Sequence, residues 1–244
     1  MPTSTPTAPF LHGFRLRGAP ADDYSDELPV LREVERIELD PRITFFVGEN
    51  GSGKSTLLEA LAAALKLNVE GGGRAYQFRY TTRKSHSRLH RRVELEWVGL
   101  PPRNSFFLRA ESIFNLGTAM EETGSVGEMQ KVYDRPLHEQ SHGESFLDIA
   151  VNRLAPNGLY LFDEPEAALS LRGQLALMQR MHELLAHDCQ FVVATHSPIL
   201  LGFPDALIYS FDRTPVEAVP FDELDHVVIT RDFLNAPERF LRHL

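Results

Sequence analysis

The sequence is poor in cysteine and in long apolar runs, and both shortages restrict its class. Cys189 is the single cysteine in 244 residues, so no disulfide can form within the chain. No stretch approaches the run of about 18 apolar residues that a membrane-spanning helix needs. Residues 1–9 are rich in proline, threonine and serine and contain no apolar run, unlike a secretory signal. We therefore expect a cytoplasmic protein whose residues 1–12 form a flexible tail.

Positive charge is also in short supply. The chain has 25 Lys and Arg against 34 Asp and Glu, a formal net charge of −9, which disfavours general binding to nucleic acid or to anionic membranes. The basic stretch, residues 74–92, is a local exception, and Tyr76, Phe78 and Tyr80 interleave with its first arginines. Such a segment can bind nucleic acid through phosphate contacts and base stacking. A solvated surface of an acidic protein is the alternative interpretation of the same residues.

Short apolar runs of β-forming residues are abundant, and they predict the fold. Solid runs of this kind are typical of strands that are buried on both faces of a parallel sheet. They lie at residues 43–47, 159–162, 190–194 and 206–211. Helical segments at 56–67 and 169–186 alternate with them, and the alternating residues 14–18 and 36–39 predict a small antiparallel β region. The order predicts an α/β fold with a mostly parallel sheet flanked by helices.

A phosphate-binding loop follows the first of these strands directly. Its glycines let backbone N–H groups turn inward around phosphate oxygens, and the next helix directs its positive N-terminal end at the same anion. Lys54 is expected to reach the β- and γ-phosphates, and the Ser55 hydroxyl is expected to ligate Mg²⁺. The predicted nucleotide-binding residues are Gly48, Glu49, Asn50, Gly51, Ser52, Gly53, Lys54, Ser55 and Thr56.

An acidic pair follows a later apolar strand. Leu159 to Phe162 is succeeded at once by Asp163, Glu164 and Pro165. Ligands of open α/β sheets bind at the carboxyl edge, where a strand that ends in this way delivers its side chains. Asp163 is then placed to hold Mg²⁺, directly or through water, and Glu164 is the candidate to orient or deprotonate an attacking water. A solvated acidic turn is the alternative, which the presence of the phosphate loop disfavours.

Three further segments resemble motifs of one family. Gln140 to Ser145 (QSHGES) resembles, in a variant form, the signature motif of ATP-binding-cassette (ABC) ATPases. Ala167 to Ser170 looks like the loop that follows the acidic pair in that family, and Thr195 to Pro198 resembles its switch-histidine segment. The order and spacing of the motifs agree with the family as well. Residues 24–244 therefore resemble stand-alone bacterial ABC-type ATPases, P-loop proteins that are often filed as AAA-family ATPases.

The resemblance implies a mechanism and a set of site residues. Two protomers sandwich two ATP molecules head to tail, so ATP and Mg²⁺ are the expected cofactors and an ATP-dependent homodimer is the expected assembly. Ser141 and the Gly143 backbone would contact the γ-phosphate held by the partner chain, assisted by the N-terminal end of the helix that follows. His196 would hydrogen-bond the γ-phosphate or the attacking water. The expected catalytic residues are Glu164, His196 and Lys54.

Some family features are altered or ambiguous in this chain. Gln140 stands where the family usually has leucine, and His142 replaces a glycine. The residue that senses the γ-phosphate, usually a glutamine, is either Gln77 or part of the segment Arg109–Ser112, and the second suits the family order better. Tyr24 lies upstream of the phosphate loop, as the family's adenine-stacking aromatic does, and an exposed loop tyrosine is the alternative.

Several functions are compatible with these motifs. The first is an ATPase whose ATP-driven dimerisation acts on an unidentified protein or nucleic-acid partner. The second is a DNA repair, maintenance or defence ATPase that binds nucleic acid through the basic stretch, and the third is the ATP-binding subunit of a transporter, which would need a separate membrane subunit. A small-molecule kinase would have no use for Glu164, the signature motif and His196 in this order. We expect one ABC-type domain over residues 1–244, with a helical lobe at about 110–157 inserted in the nucleotide-binding core.

Overall fold

The computed structural model describes residues 10–73, 87–112 and 142–242, and two sheets organise this part of the chain. The described strands, in chain order, are β1 (Leu11–Leu16), β2 (Arg36–Glu38), β3 (Ile43–Val47), β4 (Gly72–Gly73), β5 (Val93–Trp97), β6 (Asn104–Arg109), β7 (Gly158–Asp163), β8 (Gln190–Ala194), β9 (Leu207–Ser210) and β10 (Glu217–Ala218). The described α-helices are α1 (Pro29–Glu33), α2 (Lys54–Ala64), α3 (His142–Asn152), α4 (Leu171–Leu185), α5 (Pro198–Leu201), α6 (Asp225–Asn235) and α7 (Pro237–Leu241).

The larger sheet has seven strands in the order β10-β9-β3-β8-β7-β6-β4. Its five inner strands pair in parallel, while the edge strands β10 and β4 are antiparallel to their neighbours. Both faces are buried, because successive residues of β3 enter different hydrophobic clusters: Phe45 packs into one and Phe46 into the other. The carboxyl ends of the parallel strands therefore meet at one edge, where open α/β sheets bind their ligands.

The smaller sheet is antiparallel, with the order β2-β1-β5. Gln190, the buried first residue of β8, joins it to the larger sheet through a side-chain amide. Its Oε1 accepts a hydrogen bond from the Leu11 N–H at 3.0 Å, and its Nε2 donates to the carbonyls of Leu11 at 2.8 Å and Asp40 at 2.9 Å. These three hydrogen bonds of a buried amide fix the position of the smaller sheet relative to the larger one.

Helix α4 is amphipathic and packs against α3. Ser170 caps its N-terminus by accepting a hydrogen bond from the Gly173 N–H at 3.2 Å. The buried residues Leu177, Met181 and Leu184 recur at helical spacing along one face. From the same helix Arg180 donates to carbonyls at the end of α3, those of Ala150 at 3.3 Å and Val151 at 3.2 Å, and so supplies partners that helix ends otherwise lack.

The predicted α/β fold is confirmed, including the mostly parallel sheet, the flanking helices and the small antiparallel region. The predicted strands at 43–47 and 190–194 match β3 and β8 residue for residue, and the predicted strands at 159–162 and 206–211 differ from β7 and β9 by one residue at each end. Strand β1 begins at Leu11, within the range 1–12 that we expected to be a tail, because Leu11 is fully buried and bonded to Gln190. Of the helices in the described ranges, none combines the length and apolar character that crossing a lipid bilayer requires.

Candidate functional site

The phosphate loop connects β3 to α2 at the carboxyl edge of the larger sheet. Gly53 precedes α2 with φ +103°, a left-handed conformation that glycine adopts without steric cost. Gly48 is required for close approach, since a Cβ there would lie 3.0 Å from the Asp212 carboxylate and 3.1 Å from the Phe211 side chain. The Glu49 N–H donates to Asp212 Oδ1 at 2.6 Å. A carboxylate two residues beyond β9 thus holds the start of the loop.

Lys54 is buried within the loop and is bound by it. Its Nζ donates to the carbonyls of Gly48 at 2.6 Å and Glu49 at 2.9 Å, and it lies 3.4 Å from Ser52 Oγ. Burial lowers the pKa of the ammonium, and the nearby carboxylates, led by Glu164, oppose that effect. The loop therefore surrounds a positive charge that its own carbonyls satisfy, a charge suited to a phosphate ligand.

Ser55 and Asp163 meet across the sheet edge. The Ser55 hydroxyl donates to Asp163 Oδ1 at 2.9 Å, although the two residues are 108 positions apart in sequence. Asp163 is only 2% exposed, and this burial raises the pKa of its carboxyl to about 7 against the opposing effects of Arg109 and Ser55. A hydroxyl and a carboxylate are the hard oxygen donors that Mg²⁺ prefers, so this pair fits the metal we expected it to hold.

Arg109 is a further charged group beside Asp163. Strands β6 and β7 place the two residues in register at their carboxyl ends, and Arg109 Nε lies 3.3 Å from Asp163 Oδ2. The same guanidinium also pairs with Glu59 of α2 and, at 3.6 Å, with Glu111. Of the two segments that we considered for γ-phosphate sensing, Arg109–Ser112 therefore begins beside the metal-binding candidate, whereas Gln77 lies outside the described residues.

Glu164 follows with an unusual backbone conformation. Its φ of +46° and ψ of +53° are left-handed, a region that non-glycine residues rarely occupy. Its N–H donates to the Ala194 carbonyl of the neighbouring strand at 2.9 Å. Strain of this kind persists only where the surroundings enforce it and is concentrated at functional sites. The bend turns the chain away from the sheet immediately after the acidic pair.

The switch segment, Thr195–Ser197, follows β8. His196 is half-exposed, and its ring centroid lies 6.5 Å from that of His226 on α6. Glu166, from the 3₁₀ turn after the acidic pair, reaches this segment and accepts hydrogen bonds from the Thr195 hydroxyl and the His196 N–H, both at 2.7 Å. Sequence reasoning missed Glu166, and the only available signal was a third acidic residue close behind Asp163 and Glu164.

Tyr24 lies at a cleft of about 280 Å³ beside the phosphate loop. Lys54, Ser55, Thr56 and Glu164 also line this cleft. Burial, the Glu59 charge and a hydrogen bond with Thr56 act on the Tyr24 hydroxyl, and the net result is a raised pKa. The residue is 46% exposed, so part of its surface is free for contact with a ligand.

The variant signature is described only in part. Ser141 lies outside the described residues, and Gly143 is in the first turn of α3. A Cβ at Gly143 would lie 2.8 Å from the Ala168 carbonyl, so this glycine allows α3 to approach the loop that follows the acidic pair. Residues 74–86 of the basic stretch also lie outside the described residues. At its described end Arg92 pairs with Asp26 at 3.5 Å.

Comparison with known protein sequences identifies relatives with a consistent description. A family model described as an AAA domain matches residues 29–94. A Streptomyces coelicolor protein named as an ABC transporter ATP-binding protein is 33% identical over 203 residues, which cover 74% of this chain and 68% of the relative. The zinc import ATP-binding protein ZnuC of Alkalilimnicola ehrlichii is 28% identical over 69% of this chain and 62% of its own length. ABC transporter E family member 1 of Arabidopsis thaliana is 29% identical, and the matched region spans only 29% of that larger protein.

The chain also aligns with solved structures. The cbiO1 structure from Clostridium perfringens, titled as part of the ABC transporter complex cbiONQ, aligns with a TM-score of 0.49 at 16% identity over 98% of this chain and 100% of that one. The SMC head domain from Thermotoga maritima aligns with a TM-score of 0.44 at 16% identity over 86% of this chain and 98% of that one.

Proposed function

Because the chain belongs to the ABC-type ATPase family, we propose that it binds ATP on the phosphate loop and hydrolyses the γ-phosphate in a Mg²⁺-dependent reaction. The observation that carries this proposal is the 2.9 Å hydrogen bond between Ser55 and Asp163. It brings a phosphate-loop hydroxyl and a strand-end carboxylate together at the edge of the sheet where such sites bind ligands. Bound Mg²⁺ would supply charge neutralisation at the phosphate oxygens.

The side chains around this pair have separate roles in the proposal. Lys54 contributes a positive charge to the β- and γ-phosphates, because its ammonium already lies inside the phosphate loop, bound to two of that loop's carbonyls. Glu164 accepts a proton from the attacking water, and its position at the cleft with Lys54 and Ser55 supports that role. His196 hydrogen-bonds the γ-phosphate or the attacking water from the end of the neighbouring strand. Tyr24 stacks on the adenine.

We also propose that two copies form the complete site. The region around Ser141 and Gly143 of one chain would cover the ATP bound to the other, and hydrolysis would release the dimer. The assembly unit is a single ABC-type domain over residues 1–244, with the helical lobe at about 110–157. Gly143 at the start of α3 supports this arrangement, because its close approach to the Ala168 carbonyl places the N-terminal turn of α3 against the loop that follows the acidic pair.

The test is the substitution Glu164→Gln, which keeps the size of the side chain and removes its ability to accept a proton. We expect ATP turnover to fall by about 10²- to 10⁴-fold while ATP affinity is retained, and we expect a stable dimer with ATP and Mg²⁺ by light scattering. Glu183→Gln is the matched control, because Glu183 is an exposed carboxylate on α4. A monomeric Glu164→Gln variant under these conditions would refute the two-chain site, and unchanged turnover would refute the role of Glu164.

A transporter ATP-binding subunit is the biological role that the relatives favour. The matches include proteins named as zinc import and energy-coupling factor ATP-binding proteins. On this proposal a separate membrane protein receives the ATP-driven motion. Co-purification of the tagged chain from its native host with a protein that contains membrane-spanning helices, increased in the Glu164→Gln variant with ATP, would support the role. Co-purification with DNA, lost at high salt, would instead favour the nucleic-acid alternative.

A further inference from the structure

Glu166 is a buried carboxylate to which the proposed reaction has so far assigned no role. Its side chain is 8% exposed, and its Oε1 accepts two hydrogen bonds at 2.7 Å, from Thr195 Oγ1 and from the His196 N–H. Its Oε2 has no hydrogen-bond partner among the residues that the structure describes. Burying a carboxylate with one oxygen unpartnered is costly. Such a cost at this position calls for a functional explanation.

The contacts of Glu166 converge on the segment that carries His196. Thr195 is fully buried, and its hydroxyl accepts a hydrogen bond from the Ser197 N–H at 3.0 Å while it donates to Glu166. The His196 main chain is thus held on both sides. The His196 ring is 44% exposed, so its own surroundings constrain it little. Its direction therefore depends in part on a main chain that Glu166 helps to hold.

Glu166 also faces the His196 ring. His196 Nδ1 lies 3.5 Å from Glu166 Oε1. A carboxylate only accepts hydrogen bonds, so this arrangement favours the tautomer that carries its proton on Nδ1. The tautomer of a histidine is set by the partner of one nitrogen and decides what the other nitrogen can do. Nε2 is then the ring atom available to a nucleotide or to water.

We propose that Glu166 is a positioning residue that fixes both the main chain and the ring tautomer of His196 for ATP hydrolysis. The expected effect on ATP hydrolysis rests on the proposed function, whereas the placement of His196 by Glu166 rests on the geometry alone. Because Glu166 comes two residues after Glu164, one short turn fixes the two side chains whose relative placement the reaction needs. A small displacement of a positioned group can lower turnover by about 100-fold.

The test uses three variants in the full chain: Glu166→Ala, Glu166→Gln and, as a matched control, Glu183→Ala at an exposed carboxylate. The amide oxygen that Glu166→Gln introduces can still accept from Thr195 and from the His196 N–H, but the amide lacks the charge. We expect Glu166→Ala to lower kcat by about 10- to 100-fold with the ATP Kd within about twofold of the parent. We expect Glu166→Gln to lower kcat less, and Glu183→Ala to leave it unchanged.

Two further measurements separate positioning from a merely structural role. The double variant Glu166→Ala/His196→Ala should be no slower than His196→Ala, because one residue acts through the other. The ¹⁵N signals of the His196 ring, assigned with His196→Ala, should show the Nδ1-protonated form in the parent and lose that preference in Glu166→Ala. The proposal would be overturned if the two substitutions lowered kcat by independent factors that multiply in the double variant. Ring signals that are the same in Glu166→Ala and in the parent would also overturn it. If the parent chain does not hydrolyse ATP, the proposed function fails, and the ring signals still decide the role of Glu166.

Discussion

Two loops at the same edge of the seven-stranded sheet are built in opposite ways. The phosphate loop after β3 is held largely by its own atoms, since Lys54 donates to the Gly48 and Glu49 carbonyls of the same loop. The switch segment after β8 is held by side chains from another part of the chain. Glu166 binds its first two residues, and Gln174 of α4 accepts from the Ser197 hydroxyl at 2.6 Å.

We infer from this difference that the phosphate loop controls ATP binding and that the switch segment controls turnover. A loop that satisfies its own groups is ready for a phosphate whenever the chain is folded, so its residues should control ATP affinity. A segment fastened to residues 166–174 follows any movement of that region, which comes directly after the acidic pair. Its residues should control kcat with little effect on affinity. The following predictions test this separation.

The largest effect is expected for Lys54→Ala. The substitution removes the buried ammonium that we expect at the β- and γ-phosphates, and charge-assisted hydrogen bonds of this kind contribute about 1.5–3 kcal/mol each. The ATP Kd should rise by about 100-fold or more, as measured by titration calorimetry. Lys66→Ala, an exposed lysine just beyond the end of α2, is the control and should bind ATP like the parent. ATP binding by Lys54→Ala with parental affinity would remove the phosphate loop from the site.

Gln174→Ala should give the next largest effect, and it should act on turnover. Gln174 is buried, and its Nε2 donates to the Leu169 carbonyl at 3.4 Å while its Oε1 accepts from Ser197. Its loss removes the acceptor of the Ser197 hydroxyl and a donor to the Leu169 carbonyl, so kcat should fall by about tenfold and the free energy of unfolding by about 1–3 kcal/mol. Gln179→Ala, an exposed position on the same helix, should change neither. A raised ATP Kd with unchanged kcat would contradict the separation.

Asp212→Ala tests the carboxylate that holds the start of the phosphate loop from outside. The Asp212 carboxylate accepts from the Glu49 N–H at 2.6 Å, so its removal leaves the start of the loop less fixed. We expect the ATP Kd to rise by about fivefold, equivalent to about 1 kcal/mol, with kcat at saturating ATP unchanged. Asp222→Ala, an exposed carboxylate that pairs with Arg231, serves as the control. Loss of kcat in Asp212→Ala at full ATP saturation would show that this loop also controls turnover.

The self-contained loop is also the part of the site that could be predicted from sequence. Strand, glycines, Lys54 and Ser55 follow one another directly, so local pattern determines local structure. Asp163 was predictable for the same reason, because a solid apolar run ends at it. The roles of these residues with ATP and Mg²⁺ stay predictions, and Ser141 and Gln77 lie outside the described residues.

The contacts between distant elements could not be predicted in the same way. Glu166, Gln174 and Asp212 act on segments many positions away, and no spacing rule relates a side chain on one loop to a backbone N–H on another. The short edge strands β4 and β10 were missed because two residues carry no periodic pattern. Arg109 was assigned to a candidate sensing segment, but its pairing with Asp163 and Glu59 depends on strand order, which becomes known only from the folded sheet.

The smallest effect is expected at Asp23, which anchors the turn that carries Tyr24. Its carboxylate accepts from Ser25, from the Ser87 hydroxyl at 3.0 Å and from the Arg88 N–H. Burial raises the pKa of Asp23, but these hydrogen bonds outweigh it and lower the pKa to about 2. A lowered pKa stabilises the folded state above the ordinary pKa of 3.8, and this contribution is lost as the pH falls through about 2.

Asp23→Asn should therefore reduce the free energy of unfolding at pH 7 by no more than about 1 kcal/mol, because the site is largely solvated. The difference from the parent should narrow as the pH falls from about 4 towards 2, as measured by urea unfolding. The ATP Kd should rise by about twofold if the turn orients Tyr24 for adenine, since a single loosened contact costs only a fraction of a hydrogen bond. Asp22→Asn, at an exposed neighbour, should show neither effect. An affinity loss as large as that of Asp212→Ala would mean that the Tyr24 turn is as important for binding as the phosphate loop's own support.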